Sequence, residues 1–229
     1  MELGVISDIH ANLPAFEAVL DDMPEVDELV CLGDIVGYNS FPGECVDLVL
    51  QECSYVVQGN HDRVVENPEE YSSNPQAEAG LRYAEKDLED GQIEYLLERP
   101  EQVEVDDFLA VHSHPENLDE YVFPSDFSAV RPYLDDYKGI FLGHTHLQAV
   151  EKFDDGVVLN PGSVGQPRDG TEARYAVVDT ESLEAELYST SYDIQETVQG
   201  IRDSGLPEAT AERLLPESQG RRRDQNPWR

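Results

Sequence analysis

The chain has 229 residues, 39% of them hydrophobic, which is enough to bury the core of one sizeable domain or two small ones. Its 15 Lys and Arg stand against 49 Asp and Glu, which gives a formal net charge of −34. This charge disfavours binding to nucleic acids and to anionic membranes, because both surfaces select basic residues. Several apolar, β-rich runs argue against a disordered chain.

The same charge predicts a protein adapted to high salt. Repulsion between the carboxylates destabilises a compact state in dilute buffer, but the screening length shrinks to about 3 Å in molar salt. We therefore expect a high-salt cytoplasm, such as that of a haloarchaeon. Met1 leads into a strand-like run without a basic flank, so no signal peptide or membrane span is predicted. Cys31, Cys45 and Cys53 form no CxxC pair, which favours reduced thiols in that cytoplasm.

The predicted elements alternate between strands and helices in the first half of the chain. Apolar runs predict strands at residues 3–6, 29–32, 55–57, 108–111, 140–142, 157–159, 175–178 and 185–188. Helical periodicity predicts helices at residues 14–20, 44–51, 77–88 and 93–97, the first of them capped by Asn12. Early alternation followed by successive strands predicts an α/β fold with mixed sheets.

The end of the chain differs in composition. Apolar content falls from Gly205 onward, and four arginines lie between Gly220 and Arg229. We expect one domain over residues 1–204 and a partly disordered tail over residues 205–229. An interaction arm is the alternative interpretation of this basic tail.

Five predicted strands are followed by a residue that could bind a metal. In chain order these residues are Asp8, Asp34, Asn60, His112 and His144. Because ligands bind beyond the carboxyl ends of strands in α/β sheets, separate segments could bring these groups together. Residues two apart in an extended chain point to the same side, so Asp8 with His10, and His144 with His146, could each close on one ion.

All six histidines lie in or beside these strand-end segments. They are His10, His61, His112, His114, His144 and His146. A single histidine is more often structural than metal-binding, but this clustering favours a metal site. Imidazole, carboxylate and amide oxygen together suit divalent ions such as Mn, Fe or Zn rather than calcium.

Five ordered segments resemble the calcineurin-like metallophosphoesterase family. The matching pieces are Asp8-Ile9-His10, Gly33-Asp34, Gly59-Asn60-His61-Asp62, His112, and Gly143-His144-Thr145-His146. The runs at residues 33–38 and 160–168 look like a small prokaryotic phosphodiesterase-type branch of that family. The resemblance implies a four-layer α/β/β/α sandwich of two mixed sheets flanked by helices.

The resemblance also implies two divalent metal ions, with Mn expected first and Fe, Zn or Ni as alternatives. It assigns Asp8, His10 and His146 to one ion, Asn60, His112 and His144 to the other, and Asp34 to a bridge between them. A hydroxide between the ions would attack phosphorus, with Asp34 counted among the catalytic residues. His61 would protonate the leaving oxygen or stabilise the transition state without binding metal; an outer structural role is the alternative.

Two positions depart from the family's protein Ser/Thr phosphatases. Those enzymes carry Asp-Arg where this chain has Gly37-Tyr38, which argues against protein-phosphatase activity. The partner that orients His61 is therefore unidentified. Asp62 is one candidate, and capping of the following helix is an equally good explanation of that carboxylate.

Substrate contacts are less well defined by the sequence. Arg168 and Arg63 could hold a phosphate, although an ion pair with one of the many carboxylates explains Arg63 better. Asn160 and Ser163 lie in a Gly/Pro-rich turn that could present amides to an anion, or that simply forms a turn. His114 could contact substrate or metal, and a solvent-facing loop histidine is the alternative.

The resemblance implies a phosphoesterase that acts on a small phosphate ester, with a phosphodiester as the expected substrate. The alternatives are a dinucleotide polyphosphate hydrolase, a nuclease, and a binding scaffold that has lost catalysis. The acidic composition argues against the nuclease interpretation. The presence of His61 and of every ligand residue argues against a scaffold without catalysis. The physiological substrate and the oligomeric state are open at this stage.

Overall fold

Two mixed β-sheets form the centre of the molecule, which is known from a computed structural model that describes residues 1–216. The first sheet has the order β10-β9-β1-β2-β3. Its strands are β1 (Glu2–Ile6), β2 (Glu28–Cys31), β3 (Tyr55–Val56), β9 (Ala173–Asp179) and β10 (Glu184–Thr190). In this sheet β1, β2 and β3 run parallel, and β9 and β10 pair antiparallel.

The second sheet has the order β4-β5-β6-β8-β7. Its strands are β4 (Gln102–Val105), β5 (Phe108–Val111), β6 (Gly139–Phe141), β7 (Ala149–Lys152) and β8 (Val157–Asn160). Here β5, β6 and β8 run parallel, while β4 and β7 are antiparallel edge strands. Both sheets are therefore mixed, as predicted.

Helices cover the outer faces of the sheets. The described residues contain α1 (Leu13–Asp22), α2 (Pro42–Glu52), α3 (Asn60–Arg63), α4 (Pro75–Asp87), α5 (Asp90–Leu97), α6 (Phe127–Val130), α7 (Ile194–Asp203) and α8 (Glu208–Leu214). Short 3₁₀ helices span Pro68–Tyr71, Pro124–Asp126 and Arg131–Asp135. Within this part of the chain, no helix is both long and apolar enough to cross a bilayer.

The strands alternate their side chains between two cores, as the period of a β-strand requires. In β1 the side chains of Leu3 and Val5 lie in the core between the sheets, whereas Ile6 packs against the helices of the first sheet. In β5, Phe108 faces the inter-sheet core and Leu109 packs against the outer layer of the second sheet. This alternation produces four layers, and it confirms the predicted α/β/β/α sandwich.

The elements extend the sequence prediction at several points. β4, β7, α7 and α8 were not predicted, because each is short or strongly charged. α8 lies inside the segment that was assigned to the tail, and its Leu214 is buried against Val198 of α7. Residues 217–229, which include the predicted arginine-rich end, lie outside the described residues, and the division at residue 205 stays a prediction.

The parallel strands place the site. β1, β2 and β3 end at one edge of the first sheet, and the turns that follow them carry Asp8, Asp34 and Asn60. β5 and β6 end in His112 and the turn of His144 in the second sheet. The backbone N–H of His144 donates to Oδ2 of Asp8 at 3.1 Å, so the two edges meet.

Candidate metal centre

The seven side chains predicted as ligands converge in one buried place. They are Asp8, His10, Asp34, Asn60, His112, His144 and His146, and none of them is more than 7% exposed. Burial of so many polar groups is unfavourable unless something compensates for the water that they lose. The distances between them divide the cluster into two groups that share one residue.

The first group consists of Asp8, His10 and His146. Nε2 of His146 lies 3.2 Å from Oδ1 of Asp8 and 3.2 Å from Nε2 of His10. Nε2 of His10 lies 3.8 Å from the same carboxylate oxygen. One carboxylate oxygen and two imidazole nitrogens thus surround a single point, which suits a divalent ion.

The second group consists of Asn60, His112 and His144. Nε2 of His112 lies 2.8 Å from Oδ1 of Asn60. Ring nitrogens of His112 and His144 lie within 4.8 Å of each other and of a carboxylate oxygen of Asp34. This donor set again combines imidazole with oxygen.

Asp34 belongs to both groups. Its Oδ2 lies 3.7 Å from Nε2 of His10 and 3.5 Å from Nε2 of His112. Its other oxygen, Oδ1, accepts the backbone N–H of His61 at 2.8 Å. One carboxylate oxygen therefore faces both groups while the other is fixed to the protein.

Each histidine of the two groups is oriented by a backbone carbonyl. In the first group, Nδ1 of His10 donates to the carbonyl of Val36 at 3.1 Å, and Nδ1 of His146 donates to that of Gln166 at 2.7 Å. In the second group, Nδ1 of His112 donates to the carbonyl of Leu32 at 2.7 Å, and Nε2 of His144 donates to that of Asp119 at 3.2 Å. A carbonyl partner on one nitrogen leaves the lone pair of the other free, which is the usual arrangement around metal-binding histidines. Hydrogen bonding thus presents four imidazoles in the form that binds metal.

The oxygen donors are fixed in the same way. Oδ2 of Asp8 accepts from Oγ of Ser7 at 2.6 Å. Nδ2 of Asn60 donates to the hydroxyl of Tyr71, so Oδ1 of Asn60 faces His112. Oδ1 of Asp8 is fully buried without a hydrogen bond in the described part of the chain. Such an orphaned oxygen is costly unless a cation binds it, so the residues present fit a metal.

The ionisation of the groups also fits a cation. Burial lowers the pKa of His144 to about 3 and also lowers the pKa of His10 and His146, so these rings are neutral at neutral pH. Burial, together with the charges of Asp8 and Asp62, raises the pKa of Asp34 well above its usual range. A positive ion would favour the carboxylate form of Asp34 and bind the neutral imidazoles.

The backbone at the site corrects one sequence argument. The predicted i, i+2 pairs do not lie on extended chain: φ is 55° at Asp8, 49° at His10, 63° at His144 and 58° at His146, all in the left-handed region. His144 and His146 moreover belong to different groups rather than closing on one ion. Non-glycine residues in this region are strained and cluster at functional sites.

His61 lies beside the cluster, as predicted. It is the second residue of α3, directly after Asn60, and it is 4% exposed. The ring lies 4.8 Å from that of His10 and 4.6 Å from that of Tyr71, measured between centroids. One of its nitrogens also falls within 4.8 Å of donor atoms of His10 and Asp34. Burial, reinforced by the neighbouring histidines, lowers its pKa to about 3.

Comparison with known proteins identifies the family. The sequence profile of the calcineurin-like phosphoesterase superfamily domain matches residues 1–183. This chain belongs to that superfamily. The phosphoesterase is metal-dependent, and the buried donor clusters are the part of it that can bind divalent ions.

Several relatives resemble the phosphoesterase over most of its length. The uncharacterised protein MJ0912 of Methanocaldococcus jannaschii is 33% identical, with 93% of this chain and 97% of that protein covered. The phosphodiesterase YfcE of Escherichia coli K12 is 27% identical over 80% of this chain and 90% of YfcE. A metallophosphoesterase from Sphaerobacter thermophilus superposes with a TM-score of 0.83 at 33% identity and covers 93% of this chain and 98% of its own.

Two predicted substrate contacts of the phosphoesterase have structural roles. Asn160 is fully buried, and its Nδ2 donates to the carbonyl of Gly143 at 2.7 Å. Oγ of Ser163, equally buried, donates to the carbonyl of Asp8 at 2.8 Å. Both side chains therefore hold the turns that carry ligands, and their burial disfavours direct contact with substrate.

The other predicted contacts lie around the edge of the site. Arg168 is exposed, and its charge acts with burial to lower the pKa of His146. Nδ1 of His114 accepts the backbone N–H of Glu116 at 3.1 Å, which makes His114 a loop-stabilising residue outside the donor clusters. Arg63 forms the ion pair that was its alternative explanation, with Asp119 at 2.6 Å.

Asp62 proves to be a cap and not the partner of His61. Its Oδ2 accepts the backbone N–H of Gly59 at 3.0 Å, and its Oδ1 accepts from Ile35 and Val36 at 2.9 and 3.2 Å. The carboxylate thus ties the turn after β2 to the start of α3.

Three residues that contact the ligands were not predicted from the sequence. Tyr71 contacts Asn60, and Asp119 and Tyr121 both contact His144. They lie in polar stretches without periodicity, and only the folded arrangement shows their place.

Proposed function

We propose that this metal-dependent phosphoesterase is a phosphodiesterase that uses two divalent ions held by the two groups of ligands. The position of Asp34 carries the proposal. Its Oδ2 lies within 3.7 Å of donor atoms from both groups, as a carboxylate shared by two cations would. The name of the related phosphodiesterase YfcE supports a diester substrate.

The residues divide between the two ions as the sequence resemblance implied. Asp8, His10 and His146 would hold the first ion, and Asn60, His112 and His144 the second, with Asp34 contacting both. When bound, the two ions would activate water and offset the negative charge of the phosphate. The mixed imidazole and oxygen donors favour Mn, with Fe, Zn or Ni as the alternatives.

His61 would act on the reacting phosphate through a hydrogen bond. Its low pKa, set mainly by burial, keeps the ring neutral, and a neutral imidazole still has one N–H to donate. Of the two roles that the resemblance implied, this supports transition-state stabilisation over transfer of a full proton. Fixed donors of this kind act strongly in a site that excludes water.

Gly37 and Tyr38 occupy the positions at which the protein phosphatases carry Asp-Arg, so Tyr38 stands in the place of their arginine. Tyr38 is 8% exposed, and its ring packs edge-on against that of His10 at 4.9 Å between centroids. An aromatic ring here contributes packing and no cation, so a doubly charged monoester lacks the additional electrostatic binding that an arginine would provide. Diesters should therefore be hydrolysed faster than monoesters.

A cytoplasmic location at high salt forms part of the proposal. The three cysteines are free thiols, and Cys31 and Cys45 are buried. Free thiols support a reducing compartment, and this inference is independent of the proposed activity.

The proposal is tested by an activity panel in molar salt after reconstitution with Mn²⁺, Fe²⁺, Zn²⁺ or Ni²⁺. The panel compares bis- and mono-p-nitrophenyl phosphate, cyclic nucleotides, dinucleotide polyphosphates and nucleic acid. We expect hydrolysis of diesters with Mn²⁺. Exclusive cleavage of dinucleotide polyphosphates or of nucleic acid would replace the proposed activity by one of those alternatives. Inactivity with every ion would indicate a scaffold.

A further inference from the structure

The segment of residues 113–123, which follows β5 and is here called the rim loop, lies against the second group of ligands. The ring of Tyr121 stacks on that of His144, with centroids 4.1 Å apart and planes inclined by 28°. His144 in turn contacts the ring of His112 at 5.1 Å. Tyr121 therefore lies one ring away from the place where phosphate would bind.

Asp119 fixes the rim loop in this position. Its carboxylate accepts from Nη2 of Arg63 at 2.6 and 2.8 Å, and its backbone N–H donates to Oγ of Ser113 at 3.0 Å. Its carbonyl accepts from Nε2 of His144 at 3.2 Å. The loop that carries Tyr121 is thus attached both to α3 and to a ligand, so the aromatic ring is held in place before any substrate binds.

Tyr121 nevertheless keeps an open surface. The residue is 45% exposed, and its neighbour Leu118 is 49% exposed. Phe123 lies parallel to Tyr121 at an inclination of 10°, but the centroid separation of 5.6 Å is too large for full overlap of the rings. The offset of Phe123 covers the tyrosine only in part, which agrees with the 45% exposure of the residue.

The chemistry of this surface is unusual for the chain. With a net charge of −34, the chain is rich in carboxylates, and two of them, Glu116 and Glu120, are exposed on the rim loop itself. A rigid, half-exposed aromatic ring beside the site suits a neutral planar group, which stacks on aromatic faces and needs no cation to bind it.

On the basis of the proposed function, we propose that Tyr121 is a stacking surface for a planar aromatic group of the substrate. The phosphoesters that bind best would then carry a nucleobase, or another aryl group, beside the phosphate that contacts the ligand groups. Tyr121 would be a specificity-determining residue that contacts substrate.

A purely structural role for Tyr121 makes a different prediction. If the ring serves only to cover His144, any apolar side chain of similar size would suffice, and the base of a ligand would make no difference to binding. Tyr121→Phe keeps a planar ring, Tyr121→Leu keeps apolar cover without one, and Tyr121→Ala removes both. Leu187→Ala changes a 38% exposed residue of β10 and is the matched control.

The test uses the full chain loaded with Mn²⁺ in molar salt. AMP and ribose 5-phosphate are compared as competitive inhibitors of bis-p-nitrophenyl phosphate hydrolysis, because they share the sugar phosphate and differ in the base. We expect wild type, Tyr121→Phe and Leu187→Ala to bind AMP about 5- to 100-fold more tightly than ribose 5-phosphate, the range for base–aromatic stacking. Tyr121→Leu and Tyr121→Ala should lose most of that ratio while the bound manganese per chain stays unchanged.

Equal inhibition by AMP and ribose 5-phosphate in an active wild-type enzyme would overturn the stacking role and leave the proposed function intact. A ratio that survives in Tyr121→Ala would overturn it as well. Loss of manganese in Tyr121→Ala, but not in Tyr121→Leu or Tyr121→Phe, together with equal inhibition of all variants by the two ligands, would assign the side chain to covering His144 and not to binding substrate. An inactive wild type that binds neither ligand would contradict the proposed function itself.

Discussion

Gly37 lies directly against the ring of His61, with no room for a β-carbon between them. The backbone of Gly37 has φ +94°, which favours glycine. Nδ1 of His61 has no hydrogen-bond partner among the described residues. Packing against Gly37, Tyr38 and Tyr71 therefore fixes this ring.

Gly37→Ala should consequently displace His61. We expect kcat for bis-p-nitrophenyl phosphate to fall by about 100-fold, the size of effect that follows a 1 Å misplacement of a catalytic group. Gly91→Ala on α5 is the control, because a β-carbon there meets open space. Steady-state assays of both variants at matched manganese loading measure kcat. A fully active Gly37→Ala would show that catalysis does not depend on the position of His61.

His61→Ala should separate catalysis from metal binding. If His61 acts on the phosphate, kcat should fall by about 10²–10⁴-fold while the number of ions per chain stays the same. Elemental analysis of the purified variant measures that number. The proximity of the ring to His10 and Asp34 offers a different outcome, in which the variant loses an ion and His61 is a ligand.

Asp34→Asn should lower the affinity of the chain for both ions together. Substitution of residues that only orient ligands costs about 10–100-fold in metal affinity, so removing the charge of a shared ligand should cost more than about 100-fold. Asp8→Asn should affect one ion more than the other, because Oδ1 of Asp8 faces the ring nitrogens of His10 and His146 in the first group. Its contact with the second group is a hydrogen bond from the backbone N–H of His144. Asp107→Asn, an exposed carboxylate paired with Lys138, is the control. Calorimetric titration with Mn²⁺ would refute the shared role if Asp34→Asn lost only one ion.

Arg63→Gln and Asp119→Asn should have equal effects, because they break the same ion pair. The two side chains are 30% and 50% exposed, so each change should alter the free energy of unfolding by less than about 1 kcal/mol. The double variant should be no worse than either single one in KM. A rise in KM confined to Arg63→Gln would instead show that this arginine binds the substrate phosphate.

The stability of the chain should increase with salt. With a net charge of −34, the free energy of unfolding should rise between 0.1 M and 2 M KCl as repulsion between carboxylates is screened. Urea titrations at several salt concentrations measure it. Equal stability in dilute buffer and molar salt would remove the argument for a high-salt cytoplasm.

The sequence was sufficient to predict the sheets and the ligands because both follow from local pattern. Apolar runs such as residues 108–111 coincide with β5, and His112, which follows that run directly, enters the site. Asp34 could be picked out because it follows such a run, and its family role agrees with its place between the two groups.

The rest depended on contacts that no local pattern encodes. The left-handed backbone at Asp8 and His10 is imposed by hydrogen bonds to the turn after β2, such as that from the N–H of His10 to the carbonyl of Asp34. Asn160 looked like a substrate contact because it lies in a Gly/Pro-rich turn, yet burial turns its amide towards Gly143. Tyr121 reaches His144 from a loop that has no periodicity at all.

The most direct test of the two-ion centre is a titration of the metal-free chain with Mn²⁺ in molar salt, in which bound manganese and hydrolysis of bis-p-nitrophenyl phosphate are followed in the same samples. The arrangement around Asp34 predicts that hydrolysis reaches its full rate only when two ions are bound per chain. Full activity with a single bound ion, or none with both sites filled, would contradict it.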